Sequence, residues 1–495
     1  MPSPLPHRAP ATEAHPGEAA PAAVAHDNNA VAPGRIWQVI TASSVGTVIE
    51  WYDFYIFGSL TPIISTLFFP EDNPVAALLS TLALFATGFV VRPFGAIVFG
   101  RLGDLVGRKY TFLLTLLLMG GSTFCIGLVP TYAQIGLAAP LILLVLRLVQ
   151  GLALGGEYGG AATYVAEHAP DNRRGYYTSF IQTTATVGLF VSIAVIVGTR
   201  MAVGEAAFGD WGWRIPFLVS FFLIIASYYI RRRLHESPLF AQMKAQGKTS
   251  ASPLRDSFVQ PENRRLVLLA LFGATMGQGV VWYTGQFYAY FFLQTVLRID
   301  LVAASTVLCV ALLLGTPFFV YFGHLSDRIG RKRIIMTGLL CAVLFTIPLF
   351  YGLHAYAGPV TQVTPATVDA AGRAVPAVLR AAAPNLPMLT VLVFCLVLFV
   401  TMVYGPIAAY LVELFPTKVR YTSLSLPYHV GNGIFGGLVP LIATALVAWA
   451  AAQPGGFLRE YSIYFGLLYP VVVALVCLLI GSAKMKDLRN VRIMD

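Results

Sequence analysis

The sequence contains little charge for its length. Of its 495 residues, 11% are charged, whereas 57% are hydrophobic. Apolar runs of about 20 residues recur along the chain, and each is long enough to cross the hydrocarbon core of a bilayer as a helix. This composition excludes a soluble globular domain and predicts a polytopic α-helical membrane protein.

Three features that would indicate other classes of protein are missing. The five cysteines lie in apolar segments without paired spacing, so neither a disulfide framework nor a metal site is indicated. No G-x-x-x-x-G-K-[S/T] motif is present, and we therefore expect no enzyme activity, no cofactor and an ion gradient as the driving force. Residues 1–34 are rich in Ala, Pro and His without the apolar core of a signal peptide, and we expect them to form a disordered cytoplasmic tail.

The excess of basic residues, a net charge of +10, does not indicate nucleic-acid binding. Most Lys and Arg residues fall in the tails and in the short loops that follow the even-numbered apolar runs, rather than on one face of a domain. Such a bias sets the orientation of membrane proteins. We predict a multi-pass protein of a bacterial inner membrane with both termini in the cytoplasm.

One charged motif occurs twice. Gly100–Lys109, with the sequence G-R-L-G-D-L-V-G-R-K, is matched by Gly323–Lys332, with the sequence G-H-L-S-D-R-I-G-R-K. A repeat in register indicates an internal duplication. We interpret each copy as a short charged turn between two spans, and a solvated turn that only fixes orientation is the simpler alternative. The pairs that match at one offset are Gly100/Gly323, Asp104/Asp327, Gly107/Gly330, Arg108/Arg331 and Lys109/Lys332.

A second repeat follows at a longer offset. It aligns V-A-E-H-A-P-D-N-R-R-G with V-E-L-F-P-T-K-V-R-Y and pairs Glu167 with Glu413 and Arg174 with Arg420. The extra residues of the second half fit in a loop at 355–387 on the outer side, whose role the sequence does not indicate. The chain therefore consists of two halves built on one plan.

The apolar runs predict twelve transmembrane helices in two pseudo-symmetric six-helix halves, an all-α membrane fold. The predicted spans 1 to 12 are 36–60, 76–99, 110–129, 138–164, 176–199, 213–231, 266–292, 302–322, 334–353, 388–411, 422–448 and 461–482. The predicted domains are an N-terminal bundle at 35–231 (the N-half), a cytoplasmic linker at 232–265, a C-terminal bundle at 266–483 (the C-half) and a cytoplasmic tail at 484–495.

Five acidic or arginine side chains lie away from the ends of the predicted spans: Glu50, Asp53, Arg92, Arg147 and Glu157. Charges in a bilayer are costly and mark functional sites by default. Three acids face two guanidiniums, which leaves one acid without a fixed partner and makes a proton the expected coupling ion. Structural ion pairs between helices are the alternative.

Neutral polar and aromatic groups complete the candidate site. Span 4 contributes Gln150 in R-L-V-Q-G and Tyr158 in G-G-E-Y-G-G, although close glycine packing explains most of the second motif. In the C-half, packing is the alternative to substrate contact for the aromatic groups, and His429 either shares the proton or is a packing histidine. The substrate-binding candidates are Arg92, Arg147, Gln150, Tyr158, Tyr283, Gln286, Tyr404, His429 and Asn432.

These motifs resemble a known family. The paired G-x-L-x-D-x-x-G-R-K segments and the R-x-x-Q-G of span 4 resemble the major facilitator superfamily. The segments G-T-V-I-E-W-Y-D-F, V-R-P-F-G, L-G-G-E-Y-G-G and D-W-G-W-R-I-P-F, all in the N-half, resemble its metabolite:proton symporter family. In the C-half, E-L-F-P-T-K-V-R-Y does the same.

The resemblance implies alternating access, with the substrate in a central cavity between the halves. It links Glu50, Asp53 and Arg92 to transport and implies that Arg147 couples protons by pairing with an acid of span 1; Glu157 is our further candidate for proton coupling. It also implies a cytoplasmic latch. The candidate latch residues are Gly100, Asp104, Gly107, Arg108, Asp327, Gly330, Arg331, Glu167, Arg174, Glu413 and Arg420.

We therefore expect a proton-coupled symporter for a small organic acid such as a dicarboxylate, because a guanidinium binds a carboxylate in bidentate fashion. Uptake of a zwitterionic osmolyte such as betaine or proline is the first alternative, with aromatic rings of span 7 facing a quaternary nitrogen. A nutrient sensor that binds without transporting is the second. The expected partners are a small-molecule substrate, protons and lipid, and we expect a monomer.

Overall fold

A computed structural model of the protein describes residues 33–69, 80–81, 84, 87–232, 236–364, 367–368, 374–375 and 378–488. Nearly all of the predicted N-terminal tail, part of span 2, parts of the loop at 355–387 and the last residues of the C-terminal tail lie outside the described residues.

Long helices occupy the positions of the predicted spans. Within the described residues, nine of them are long and apolar enough to cross a membrane. They correspond to spans 3, 4, 5 and 7 to 12. Their bounds are Arg108–Ile126, Ala138–His168, Arg174–Val203, Pro261–Val296, Val302–Ile329, Arg331–Tyr356, Leu386–Leu414, Thr417–Ala451 and Ser462–Lys484.

The other three predicted spans are also helical where they are described. Span 1 is the helix Pro33–Phe68, span 2 ends in the helix Arg92–Leu105, and span 6 is Arg214–Arg232. Short helices lie between the spans and in the linker. They are Tyr132–Ile135, Glu205–Ala207, Pro238–Ala245, Pro253–Phe258 and Phe457–Glu460, and a π-helical turn at Phe208–Gly212 precedes span 6.

Helix starts follow local sequence rules. The Asp300 side chain accepts a hydrogen bond from the Val302 backbone and so caps span 8. Asn385 caps span 10 by accepting from Met388. Such caps satisfy backbone N–H groups that have no partner within the helix. Span 7 begins at Pro261, inside the predicted linker, because proline suits the first turn of a helix.

Spans 7 and 11 are irregular helices. Span 7 contains three π-helical turns. Span 11 contains one, at Val430–Gly436, where it packs against span 7. The two helices pack closely there, since a Cβ at Gly279 would overlap the Gly431 backbone. π-Helical turns are frequent at functional sites. The turns in span 7 are Leu271–Thr275, Thr284–Tyr288 and Phe292–Val296.

Other spans are interrupted by shorter breaks. Span 5 contains a 3₁₀ turn at Phe180–Thr183 between the helices Arg174–Ser179 and Thr184–Val203. Span 10 divides into Leu386–Tyr404 and Ile407–Leu414, and span 12 into Ser462–Phe465 and Leu468–Lys484. The remaining segments of spans 7 and 11 are Pro261–Ala270, Met276–Tyr283, Ala289–Phe291, Thr417–Val419, Arg420–His429 and Val439–Ala451.

The repeated motif contains the predicted short turn between spans, but most of its residues are helical. The helix of span 2 continues to Leu105 and that of span 3 begins at Arg108. Span 8, Leu301–Ile329, and span 9, which begins at Arg331, have only Gly330 between them. In each motif the chain passes from one helix to the next within two residues or fewer. This is possible because Gly107 and Gly330 adopt a positive φ, which ends the first helix.

The loop at 355–387 contains β-structure, which corrects the all-α prediction locally. Val360–Thr364 pairs antiparallel with Val378–Ala381, and Thr367–Val368 pairs antiparallel with Ala374–Val375. The first ladder includes a register shift between Gln362 and Thr364. The hairpin is attached to the connection between spans 7 and 8, because the Ala381 N–H donates to the Arg298 carbonyl.

Glycine allows spans 2 and 4 to pack with their backbones in contact. A Cβ at Gly95 would overlap the backbone of Leu152, and a Cβ at Gly155 would overlap that of Arg92. The glycine-rich motif of span 4 therefore has a packing role, which brings the polar residues of spans 1, 2 and 4 together in the N-half.

Candidate functional site

Two ion pairs lie midway along spans 1, 2 and 4. Arg147 Nη1 is 3.5 Å from Asp53 Oδ2, and Arg92 Nη1 is 3.6 Å from Glu50 Oε1. All four side chains are largely buried, with exposed fractions of 12% or less. The pairing of Arg147 with an acid of span 1 is thus present, and its role in proton coupling stays a prediction.

Gln150 holds the Asp53–Arg147 pair in place. Its Nε2 donates to Asp53 Oδ1 at 2.9 Å and to Thr123 Oγ1 at 2.8 Å, and its Oε1 accepts from Arg147 Nη1 at 2.8 Å. Both donors of the amide and its acceptor are in use. In this conformation Gln150 positions the ion pair, so its predicted contact with substrate would require these bonds to change.

Aromatic rings support both guanidiniums. The Arg147 Cζ lies 3.7 Å from the centre of the Phe57 ring, and the Arg92 Cζ lies 4.6 Å from that of Phe89. The negative face of an aromatic ring attracts a cation, most strongly where water is excluded. This contact helps the spans hold arginine within an apolar bundle.

Glu157 is a buried acid that contacts span 3. Its Oε2 accepts a hydrogen bond from Thr115 Oγ1 at 3.1 Å, and its side chain is fully buried. Glu157 also lies near enough to Glu50 for the two charges to interact. Thr115 is therefore one fixed partner of the third acid, for which the sequence analysis expected none.

Three members of the ion pairs, Asp53, Arg92 and Arg147, line a small cavity. A second small cavity lies within the C-half between spans 7, 9, 10 and 12, and none of its described lining residues is ionisable. We take the first as the candidate site because it carries the charged groups. Its wall is formed by Asp53, Phe54, Gly88, Phe89, Arg92, Arg147, Gln150, Gly151 and Leu154.

Aromatic side chains of span 7 cover this cavity from the C-half. The ring centres of Trp51 and Trp282 are 4.9 Å apart. Phe54 and Phe287 are also 4.9 Å apart, in an edge-to-face arrangement. Aromatic pairs of spans 1 and 7 therefore join the halves beside this cavity. The substrate-binding candidates of span 7 adjoin these contacts: Tyr283 lies 6.3 Å from Phe89, and Gln286 is buried beside Phe287.

Three tyrosines pack together and join the halves; we call them the tyrosine cluster. The rings of Tyr158 and Tyr428 are parallel, with centres 3.6 Å apart. The Tyr404 and Tyr428 hydroxyls are 2.5 Å apart, and Gln182 Nε2 donates to the Tyr158 hydroxyl at 2.8 Å. Tyr158 and Tyr404 were predicted to bind substrate, whereas here each is buried against other aromatic rings.

The other two C-half candidates differ in their surroundings. Asn432 exchanges hydrogen bonds with Gln278, at 2.9 and 3.0 Å, so its amide serves the packing of spans 7 and 11. His429 is buried, and its ring centre lies 5.2 Å from that of Tyr428 in the tyrosine cluster. The structure thus brings Tyr283 against Phe89, the ring that supports Arg92, and engages Asn432 elsewhere.

Removing the Tyr428 ring should destabilise the contact between the halves. We expect Tyr428→Ala to lower the free energy of unfolding by about 3–5 kcal/mol, because it deletes a buried ring. Tyr428→Phe should cost about 1 kcal/mol, since it loses only the contact with the Tyr404 hydroxyl. Thermal unfolding of the purified protein measures both. Tyr351→Ala, at an exposed ring, is the control, and equal melting temperatures for all three variants would contradict the packing role.

A buried ion cluster joins the halves at the end of the bundle that carries the repeated motif, which we call the motif end. Arg108 Nη1 lies 2.6 Å from Asp104 Oδ1, and Arg420 Nη1 of the C-half donates to Glu167 Oε1 of the N-half at 3.1 Å. Asp104 Oδ2 accepts from the Thr422 backbone at 2.9 Å. This carboxylate lies at the start of the helix Arg420–His429, where the helix dipole favours negative charge.

The repeat builds a second cluster with the halves exchanged. Arg331 donates to Glu413 from Nη2 at 2.9 Å and from Nε at 3.2 Å, a bidentate pair within the C-half. Arg174 of the N-half lies 3.5 Å from Glu413. Asp327 accepts from the backbone of Gly175 at 2.9 Å and from that of the next residue at 2.8 Å. The motif end is therefore closed in this structure; its role as a latch stays a prediction.

The motif glycines are required by the backbone. Gly107 has φ 143° and Gly330 has φ 107°, conformations that disfavour any side chain. An acid lies against each: Glu236 of the linker accepts from the backbone of Arg108, and the Asp487 carboxylate would overlap a Cβ at Gly330. Gly100 faces Thr422 of span 11, with room for little more than hydrogen.

Several contacting residues were not among the sequence candidates. Tyr428, Trp282 and Phe287 complete the surfaces between the halves, and Thr123 and Gln182 hold candidate residues by hydrogen bonds. A signal in the sequence pointed to two of them: Trp282 and Phe287 adjoin the candidates Tyr283 and Gln286 in one polar and aromatic stretch. Their partners lie in distant spans, and no pattern within one span indicates them.

Comparisons with known proteins agree with this fold. Residues 39–265 match the family model described as "Sugar (and other) transporter". The chain is 34% identical to the alpha-ketoglutarate permease of Escherichia coli K12 over 416 residues, which cover 83% of this chain and 87% of that protein. The chain belongs to the major facilitator superfamily.

Two further comparisons extend this result. The proline/betaine transporter of Escherichia coli K12 is 31% identical over 464 residues, covering 92% of this chain and 85% of that protein. A solved structure of the major facilitator proton:xylose symporter XylE, bound to 6-bromo-6-deoxy-D-glucose, matches 93% of this chain and 98% of its own with a TM-score of 0.73. At 16% identity, the XylE match shows the fold alone.

Membership in the major facilitator superfamily confirms three predictions. The chain has the twelve-helix fold of that superfamily, it is a membrane-embedded transporter of metabolites, and it is not an enzyme. The domain boundaries at 35–231, 232–265 and 266–483, and the orientation of the termini, stay predictions.

Proposed function

We propose that this protein takes up a small organic acid together with protons by alternating access, in a bacterial inner membrane with both termini in the cytoplasm. The observation that supports this proposal is two buried carboxylate–guanidinium pairs, Glu50–Arg92 and Asp53–Arg147, beside a cavity between spans 1, 2 and 4. We expect the motif end to face the cytoplasm, as the distribution of basic residues predicts.

Arg92 is the guanidinium best suited to a substrate carboxylate. Its contact with Glu50 is long, at 3.6 Å. Arg147 is held by Gln150 at 2.8 Å as well as by Asp53. A carboxylate that enters the cavity can therefore bind Arg92 with less disruption, and two parallel N–H···O bonds favour that geometry.

Protons enter this scheme through the acids of span 1. A protonated Asp53 or Glu50 no longer attracts its guanidinium by charge, so the arginine becomes available to the substrate carboxylate. Substrate binding then restores a neutral cavity, which is the condition for closing it within a bilayer. Each half would move relative to the other around this site, and the clusters at the motif end would separate in the opposite state.

The relatives support this assignment by their names. One is called an alpha-ketoglutarate permease, and another, from the same organism, is called the inner membrane metabolite transport protein YhjE, at 35% identity. The relative named as a proline/betaine transporter favours the second candidate, uptake of a zwitterionic osmolyte. The stacked rings of Trp51 and Trp282 at the cavity support that candidate, because aromatic faces attract quaternary ammonium groups.

Transport by the purified protein tests the proposal. We expect proteoliposomes with an inwardly directed proton gradient to accumulate radiolabelled α-ketoglutarate, and a protonophore to abolish the accumulation. Radiolabelled glycine betaine under the same conditions tests the second candidate, and protein-free liposomes are the control. Accumulation that survives collapse of the proton gradient would rule out proton symport.

A further inference from the structure

One aromatic side chain of the C-half is inserted into the N-half at the motif end. Tyr421 is the second residue of the helix Arg420–His429 in span 11, and its side chain is fully buried. Its hydroxyl donates a hydrogen bond to the Gly156 carbonyl of span 4 at 2.5 Å. The residues on either side of Tyr421 carry the ion pair and the backbone contact described for this end. The ring therefore crosses between the halves within the cluster that closes the motif end.

Three glycines of the N-half surround this ring; we call them the glycine socket. A Cβ at Gly103 of span 2 would overlap the ring, and the three heavy atoms nearest to that Cβ all belong to Tyr421. A Cβ at Gly159 of span 4 would press on the opposite edge of the ring. A Cβ at Gly160, the next residue, would overlap the hydroxyl group. The socket accepts the ring because these three positions have no side chain.

The internal duplication places a different pair of residues at the corresponding contact. At the offset of the second repeat, Gly175 corresponds to Tyr421, and at the offset of the repeated motif, Ser326 corresponds to Gly103. These two residues also meet across the halves, since a Cβ at Gly175 would overlap the Ser326 hydroxyl. One contact thus pairs a ring with a glycine, and the other pairs a glycine with a serine. Each pair is matched in size, but the inserted ring belongs to the first.

The ring also contacts the turn of span 4 that carries two candidate residues. Glu157, a candidate for proton coupling, and Tyr158 of the tyrosine cluster directly follow Gly156. The carbonyl that accepts from Tyr421 therefore precedes them, and two glycines of the socket follow them. Insertion of the ring packs the C-half directly on this turn, so closure of the motif end and the position of these two residues share one contact.

We propose that Tyr421 is a lock for the state that is closed at the motif end: its ring enters the glycine socket when the halves meet and leaves it when they separate. This inference rests on the proposed alternating access, and it does not depend on which substrate is carried. Entry of the ring removes its apolar surface from water, which favours the closed state. The lock acts by packing and thus adds to the ion pairs, which act by charge.

Distances between spin labels test the lock. Labels at positions 101 and 333, exposed at the motif end on the two halves, give the ratio of open to closed molecules. We expect Tyr421→Ala to raise this ratio roughly tenfold or more, because it deletes a ring that is buried only in the closed state. Tyr421→Phe keeps the ring and loses its hydrogen bond, so we expect a rise of about fivefold. Tyr110→Ala, which removes an exposed ring at the same end, is the control and should leave the ratio unchanged.

A double-variant cycle shows whether the socket acts through the ring. Gly103→Ala should raise the ratio of open to closed molecules, since its Cβ takes space that the Tyr421 ring occupies. In the Tyr421→Ala background the same change should have little further effect, because the ring that it would displace is absent. Gly121→Ala is the matched control. Gly121 lies in the helix of span 3 with open space at its Cβ position, so the ratio should stay unchanged in both backgrounds.

The outcomes separate this inference from the proposed function. If wild-type protein in proteoliposomes does not take up α-ketoglutarate, the proposed uptake of such acids fails, and the label distances still test the lock. If Tyr421→Ala and Gly103→Ala both keep the wild-type ratio of open to closed molecules, or if their effects simply add, the ring does not lock the motif end and the inference is overturned. Should Tyr421→Ala fail to fold, Tyr421→Phe and Gly103→Ala, which both retain the ring, decide the question by the same ratio.

Discussion

Asp53→Asn is expected to abolish the accumulation of substrate against its gradient while leaving exchange of substrate across the membrane intact. An amide keeps the size of the carboxyl group and a carbonyl oxygen that can accept from Gln150, but it cannot take up or release a proton. A gradient of about one pH unit stores about 1.4 kcal/mol per proton. A one-proton symporter could thus accumulate substrate roughly tenfold, and we expect a ratio of about one for the variant.

The measurement compares radiolabelled substrate inside proteoliposomes with that outside, with and without the imposed gradient. Asp300→Asn is the control, since that acid pairs with Arg380 at the exposed end of the hairpin and lies outside the cavity. Full accumulation by Asp53→Asn would exclude Asp53 as the coupling group. The same experiment on Glu50→Gln and Glu157→Gln would then identify the titrating acid.

Charge in an apolar sequence was a reliable guide to the candidate site. Glu50, Asp53, Arg92 and Arg147 could be found because ionisable groups in membrane spans are costly and few. The family resemblance implied that Arg147 pairs with an acid of span 1, but it did not say which acid pairs with which arginine. The fold was equally accessible, because span length depends on bilayer thickness and the repeated motif relates the two halves.

Contacts between the halves could not be predicted in the same way. The stack of Tyr158 on Tyr428 joins spans 4 and 11, which are remote in sequence, and aromatic residues in a span are equally suited to lipid contact or packing. Asn432 is a second example. Its amide was predicted to contact substrate, and the facing helix supplies Gln278 as its partner in this conformation, so contact with substrate would require these bonds to change.

The motif end and the cavity differ in how the two halves contribute charged residues. At the motif end, each half supplies an equivalent acid and arginine, so Glu167 and Glu413 occupy matching places. In the cavity, the ionisable pairs come from the N-half, and the C-half supplies aromatic and neutral polar groups. Duplication has therefore kept the closing contacts paired while the charged chemistry resides in one half, which suits a site that one half carries and the other covers.

Opening of the motif end should follow from loss of the ion pairs that cross between the halves. Arg420→Gln removes the hydrogen bond to Glu167 at 3.1 Å, and Arg174→Gln removes the 3.5 Å contact with Glu413. Breaking a buried pair costs about 3–5 kcal/mol, which exceeds the few kcal/mol that commonly separate two conformations. We expect both variants to favour the state that is open at the motif end, with Arg420→Gln the stronger because its bond is shorter.

Spin labels at positions 101 and 333, exposed on the N-half and C-half at the motif end, report this opening as a longer distance between the labels. Arg380→Gln, which breaks an exposed pair at the opposite end, should leave the distance unchanged because such pairs contribute little. Glu413 retains its bidentate partner Arg331 in Arg174→Gln, so the C-half itself stays folded. Unchanged distances in both arginine variants would mean that these two pairs do not hold the motif end closed.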